Sequence, residues 1–387
     1  IDELLARMTD GCIEPHPSLY TWHQTDVTID GVALERVGIR KKGFLGSVVG
    51  QGLFKPSLKL KTDRIVAKQR FGDAERVTLN NNNQDATRMQ TCLAYQLFAT
   101  AGYPAPRCNL ANVMLNGVSL GAYTHVEPIK RPALKRMFGD ADGSLYEGAL
   151  ADFTPSHVAG FPDHKLGRWE AKTSATDPTG KPLKQLTDAL QVPDSELLDA
   201  LAPVLNLDRF IRFWALEVLI NHGDGYASNR NNFFVYFDPT DQGRATFVPW
   251  GADNVFNGPS STDGGMLAGF VFAELPRRLS RIPAIAAKVD AELQRLLTDV
   301  WDTDAILAQV DVFEAQVETA QVDEGYRAGV TTLRAWISGR KAAMEATVKV
   351  GLPAGTDHGA LCTEFPGGGI ADGQGGLTIF TALVFGW

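Results

Sequence analysis

The polar run Asn221-His222-Gly223-Asp224, followed by Asn229, Asn231 and Asn232 and then by Asp253, has the residue types that phosphoryl transfer requires. An aspartate can orient an attacking hydroxyl, and an asparagine with a second aspartate supplies hard oxygen donors suited to magnesium. That reaction asks a protein mainly for positioning and for neutralisation of charge around phosphates and metal. The plainer reading is that these polar side chains cap their own loop.

Two basic stretches lie upstream. Lys42-Gly43-Phe44-Leu45-Gly46-Ser47 places glycines where backbone N–H groups can approach a polyphosphate, although an ordinary β-turn has the same composition. In Lys55-Pro56-Ser57-Leu58-Lys59-Leu60-Lys61, strand alternation puts Ser57, Lys59 and Lys61 on one face and Leu58 and Leu60 on the other. Either Lys59 or Lys61 is then able to reach phosphate oxygens; a solvated lysine edge is the competing explanation.

The elements that must hold these residues follow from periodicity. Val27-Thr28-Ile29, Val37 to Arg40 and Ser57 to Leu60 read as short strands between glycine turns. Asp85 is placed to cap a helix carrying Met89, Leu93, Leu97 and Phe98, which Gly102 and Pro104 end. Val113 to Val126 reads as a hairpin around Asn116-Gly117, a pair that accepts positive φ. Ile129 to Pro132 reads as a crossing linker, and Asp152 to Pro182 as a long surface excursion. Leu207 to Ile220 is the strongest helix and runs straight into Asn221. Phe233 to Tyr236 and Ala245 to Val248 read as strands, and helical periodicity returns over Ala284 to Val300 and Asp304 to Val348.

Composition narrows the function. The 387 residues are 44% hydrophobic, enough for a sizeable core, yet no run reaches the roughly 18 apolar residues of a membrane span. A net charge of −8 with dispersed lysines and arginines argues against nucleic acid as a partner. The four cysteines, Cys12, Cys92, Cys108 and Cys362, lack CxxC pairing, which disfavours zinc and dithiol chemistry and is compatible with one or two disulfides. The histidines never take metal-ligand spacing and no Gly-x-Ser-x-Gly elbow occurs, so zinc-enzyme and hydrolase readings find no support. His222 is expected to brace its loop, and Trp214 and Trp336 to be core. The chain opens on Ile1 without a methionine, so a signal peptide, if there is one, precedes it.

A β region with one helix, a linker, and then a helical half with a loop and strand pair resembles the order of elements in protein kinases. The resemblance implies that the metal-binding asparagine stands just before the strand that follows the catalytic loop, which favours Asn232 over Asn229, although Asn229 has the usual spacing from Asp224. More specifically, the chain resembles the CotH kinase family, named for a bacterial spore-coat protein and also found in fungal surface invasins. The matching pieces are Val37-Gly38-Ile39-Arg40 with Gly43 and Ser47; the Lys55 to Leu60 strand; Leu79-Asn80-Asn81 with Asp85; Ala101 to Pro106; Asn116-Gly117 with Gly121, Tyr123 and Glu127; Asp224-Gly225-Tyr226 with Asn232 to Tyr236; and Pro249-Trp250 with Asp253.

The resemblance implies an α+β, atypical two-lobed protein-kinase-like fold. Residues 1–26 would form an N-terminal extension, 27–128 the small lobe, 129–350 the helical lobe and 351–387 a glycine-rich tail. It implies an exported or surface-associated enzyme that uses ATP with Mg2+, or Mn2+, to phosphorylate serine or threonine of a protein substrate. Gly43, Ser47, Lys59 and Lys61 would meet the nucleotide, Glu127 would lie where the linker meets it, Asp224 would be the catalytic aspartate, and Asn232 and Asp253 would hold the metal. Two departures stand out. Gly251 replaces the first carboxylate of the family's Pro-Trp-Asp-x-Asp, and the Asp85 helix carries no glutamate to pair with the phosphate-binding lysine, leaving Glu75, Glu127 or nothing. AMPylation, glutamylation and a non-catalytic pseudokinase therefore stand as alternatives.

Overall fold

The computed structural model describes residues 8–9, 12–13, 20–43, 55–159, 161, 168–258, 265–320 and 322–357. The chain is a mixed α+β protein with two antiparallel sheets besides a short pair, β1 (Met8–Thr9) and β2 (Cys12–Ile13). The larger sheet curls through β3 (His23–Ile29), β4 (Val32–Lys41), β5 (Leu58–Lys61), β6 (Arg76–Asn80), β7 (Cys108–Leu115) and β8 (Val118–Val126), in the order β3-β4-β5-β6-β8-β7. The second sheet takes β9 (Ser144–Gly148), β10 (Trp169–Ala171), β11 (Phe233–Asp238) and β12 (Arg244–Pro249) in the order β10-β9-β11-β12.

Alternation explains the larger sheet. Leu34, Val37, Leu58, Leu60, Val77, Leu79 and Tyr123 form one apolar cluster, while Arg40, Lys59 and Thr78 stand opposite one another on the other face. The Asn116-Gly117 hairpin forms as expected, with φ of 50° and 80° at the two turn residues.

Helix α1 (Gln90–Thr100) starts later than the position of Asp85 suggests. Asp85 caps it from a distance, accepting from the N–H of Gln90 at 2.8 Å and of Thr87 at 2.8 Å. The disulfide Cys92–Cys108 ties α1 to β7. Helix α2 (Arg131–Phe138) begins inside the expected linker, because Pro132 is tolerated in a first helical turn.

Helix α3 (Leu207–Leu219) is capped by Asn206, whose side chain accepts from Arg209 N, and is buried along most of its length. Its Phe210 and Phe213 pack with Tyr226, Phe233 and Phe247, and Phe213 reaches Phe98 of α1, so α1 and α3 share one core. Helices α4 (Pro283–Asp299), α5 (Thr303–Val317) and α6 (Glu324–Val350) complete that core, with α4 and α6 packed together; Trp214 and Trp336 are buried in it.

The stretch from Asp152 to Pro182 is not a surface excursion. Asp152, Phe153, His157, Val158, Phe161 and Trp169 are buried, and β10 adds an edge to β9. Its polar composition misled because Asp152 and His157 are hydrogen-bonded inside the core rather than solvated.

Candidate functional site

Helix α3 delivers Asn221 to Asp224 to the mouth of the core. Asn221 breaks the helix with φ of 54°, a conformation asparagine tolerates. Behind the loop lies Glu217, fully buried, whose two carboxylate oxygens accept from Tyr226 N at 2.9 Å and Ala227 N at 2.8 Å. His222 is equally buried, with Nδ1 3.6 Å from Glu217 Oε1, and neither ring nitrogen makes a hydrogen bond, so the expected bracing by this side chain is not seen. From the far side Arg340 of α6 donates to the carbonyls of Leu219 at 2.8 Å and Val218 at 2.6 Å, placing a cation at the negative end of α3.

Asp224 is gripped by three amides. Asn229 Nδ2 donates to Oδ1, Asn231 Nδ2 lies 3.3 Å from each oxygen, and Asn232 Nδ2 donates to Oδ2 at 2.5 Å and to the Asp224 carbonyl at 3.0 Å. Asn231 is a partner that sequence spacing did not single out. With its nitrogen committed to Asp224, the Asn232 amide presents Oδ1 toward the 251–253 turn, where a Cβ on Gly251 would approach it to 2.3 Å.

Asp253 belongs to the same group. Burial pushes its carboxyl up to about 6, the charge of Asp224 adds to the rise, and Lys42 opposes it. Asp85 also acts on it, which places the α1 cap near the same turn. Tyr95 of α1 lies near the backbone N–H groups of Gly251 and Ala252, which act on its hydroxyl, so α1 approaches that turn. Sequence reasoning missed Tyr95, and its apolar neighbours in α1 gave no signal for it.

The basic side chains lie on the polar face of the larger sheet. Lys42 is brought down to about 8 by burial and by Lys59, with Asp253 the first anion acting against the shift. Lys59 is also lowered, by burial first, and the first anion opposing that is Glu147 of β9. Burial works to raise the Glu147 carboxyl, yet Lys172 and Lys59 together hold it below the ordinary range. Lys172 bonds both Glu147 and Glu170, and Lys130 donates to the Lys172 carbonyl.

The expected partners of Lys59 are occupied elsewhere. Glu75 pairs with Arg70 at 2.6 Å. Glu127 pairs with Arg136, rather than with Lys130 or Arg131, and accepts from Arg107 N at 3.0 Å. Glu147 of β9, itself paired with Lys172, is instead the first anion acting on Lys59. Lys61 pairs with Asp63 at 3.7 Å. Gly43 ends β4 with φ of 105°, and Ser47 lies outside the described residues.

Among the described residues no group of three or more His, Cys, Asp and Glu side chains is placed to hold a metal ion. The acidic donors of this site are a pair, Asp224 and Asp253, accompanied by amides.

A curled antiparallel sheet whose basic face accompanies two coupled aspartates and a cluster of asparagine amides defines an α+β protein with a polar, oxygen-rich site of mixed charge. A profile of the CotH kinase protein family matches residues 46–346, and the chain belongs to that family. The invasin CotH3 of Rhizopus delemar is 23% identical over 224 residues, 54% of this chain and 36% of that protein. The invasin CotH2 of the same organism is 23% identical over 195 residues, 48% of this chain and 33% of that protein. The chain thus spans about a third of the length of these curated relatives. Among the described residues no helix is long and apolar enough to cross a membrane.

Proposed function

We propose that this chain is a kinase-like transferase, with a small β lobe holding α1 and a larger helical lobe, that carries the γ-phosphoryl group of ATP to serine or threonine of a protein acceptor. The observation that carries this reading is that two carboxylates from separate segments meet: three asparagine amides hold Asp224, Asn232 turns its Oδ1 to the 251–253 turn, and the charge of Asp224 acts on Asp253. Family membership gives the class of chemistry.

Asp224, fixed by Asn229, Asn231 and Asn232, is the group that accepts a hydrogen bond from the acceptor hydroxyl and orients it. The donors fit a hard divalent cation such as Mg2+ or Mn2+: Asp253 supplies a carboxylate and Asn232 an amide oxygen, and a cation would offset the burial and the Asp224 charge that together raise Asp253. Bound there, the metal would neutralise charge on the phosphate oxygens. Lys59 contributes positive charge to the nucleotide from the sheet, with Glu147 the first anion acting on it and Gly43 and Lys61 at the margins. Glu127, clamped by Arg136, lies at the entry to α2 where the linker passes the nucleotide.

A second reading is favoured by one specific pair of observations. The relatives are named invasins, and Gly251 removes a carboxylate, both of which suit a surface protein that uses the fold without catalysis. Either reading is compatible with export. Incubation of the chain with Mg-ATP, free glutamate and a panel of secreted proteins, followed by intact mass measurement, separates them. A phosphate increment that vanishes in Asp224→Asn supports the kinase; an AMP or glutamyl increment moves the chemistry to the other transfers; no increment together with no thermal stabilisation by Mg-ATP favours the adhesive role.

A further inference from the structure

Two lysines share the polar face of the larger sheet, and the ladder separates them. Arg40, Lys59 and Thr78 form one row across β4, β5 and β6. The next row contains Lys42, Ser57 and Asn80: Lys42 N bonds the Ser57 carbonyl at 2.9 Å, and Lys42 Nζ donates to Asn80 Oδ1. Rows two residues apart on a strand stand roughly 6.6 Å from one another, so the two ammonium groups serve different parts of any ligand laid along this face.

The Lys42 row is the one nearer the carboxylates. Beyond Asn80 the chain runs through Asn81, whose N–H donates to Ser57 Oγ at 2.9 Å, and Asn82, whose Oδ1 accepts from Thr124, to Asp85, which acts on Asp253. The opposing charges agree with this order. Asp253 is the first anion acting on Lys42, whereas Glu147, already bonded to Lys172, is the first acting on Lys59. Lys42 is half-buried and its ammonium rests on a neutral amide, so its charge is available to an incoming anion.

Resting on the nucleotide-binding reading above, we propose that Lys42 grips the phosphates of the nucleotide that lie next to the cation. Lys59 stands one row further along the polyphosphate, nearer Glu147.

An acyl-phosphate derivative of ATP tests this on the unaltered chain. Such a probe passes its acyl group to a lysine amine beside the terminal phosphates and releases ATP, and peptide mass spectrometry identifies the lysine. The expected result is acylation of Lys42, suppressed by excess Mg-ATP and several-fold above that of Lys59. Acylation of Lys59 without Lys42, equally suppressed by Mg-ATP, overturns the assignment while leaving nucleotide binding intact. Absence of any lysine label that Mg-ATP suppresses overturns the nucleotide-binding reading and this assignment with it.

Discussion

The amide of Asn232 fills the space that a side chain at position 251 would need: a Cβ on Gly251 would fall 2.3 Å from Asn232 Oδ1, and Gly251 has φ of 51°. Loss of a carboxylate at 251 and the pose of Asn232 are therefore one arrangement. Gly251→Asp should cost about 2–4 kcal/mol, from left-handed backbone and overpacking together. Urea unfolding of Gly251→Asp and of Gly251→Asp/Asn232→Gly provides the check. The second change should recover part of the loss, and a single variant as stable as the parent would contradict the packing described.

Arg340 holds the end of α3 from which Asp224 is presented. Arg340→Met leaves the Leu219 and Val218 carbonyls without these donors inside the core, a loss of about 2–4 kcal/mol. Denaturant midpoints measure it, and weaker binding of Mg-ADP should accompany the loss because the loop is released.

Asp152 ties three segments: Tyr226 donates to its Oδ1 at 2.9 Å, Glu274 N to its Oδ2 at 2.9 Å, and its own N–H donates to His157 Nδ1 at 2.9 Å. Burial pushes its carboxyl up to about 6, with Arg230 opposing. A raised carboxyl binds its proton more tightly in the folded chain. Its favourable contribution is complete below the unfolded value near 3.8 and is lost as pH rises through 6. Asn at this position does not titrate, so the stability of the parent relative to Asp152→Asn should fall between pH 4 and pH 6.5, by up to about 3 kcal/mol. A gap that stays constant over that range would contradict the assignment.

The Cys92–Cys108 bridge joins residues 16 apart and anchors α1, which carries Tyr95 to the 251–253 turn. The double variant Cys92→Ala/Cys108→Ala should lose about 3 kcal/mol by the chain-entropy argument. Thermal unfolding with and without reductant tests this: reductant should lower the midpoint of the parent by more than that of the double variant.

Much of the scaffold was legible because period and punctuation are local. Leu58 and Leu60 turned inward from Lys59, Asn116-Gly117 made its turn, and α3 ended at Asn221 where its apolar pattern stopped. That Asp224, Asn229 and Asn232 would cluster was legible because they crowd one short loop after α3. What escaped depends on distant contacts. Glu147 acts on Lys59 from a different sheet, and Tyr95 looks like core until Gly251 and Ala252 lie near it. Asp152 and His157 read as surface residues because composition does not reveal a partner more than a hundred residues away, as Glu274 is.

Calorimetric titration of Mg-ADP into the parent chain and into Asp253→Ala tests the central claim most directly. If Asp253 and Asn232 hold one cation beneath a polyphosphate beside Asp224, the parent binds and the variant loses about a hundredfold in affinity or more, with its fold retained by circular dichroism. Binding by Asp253→Ala within about a factor of two of the parent would show that Asp253 does not serve the metal.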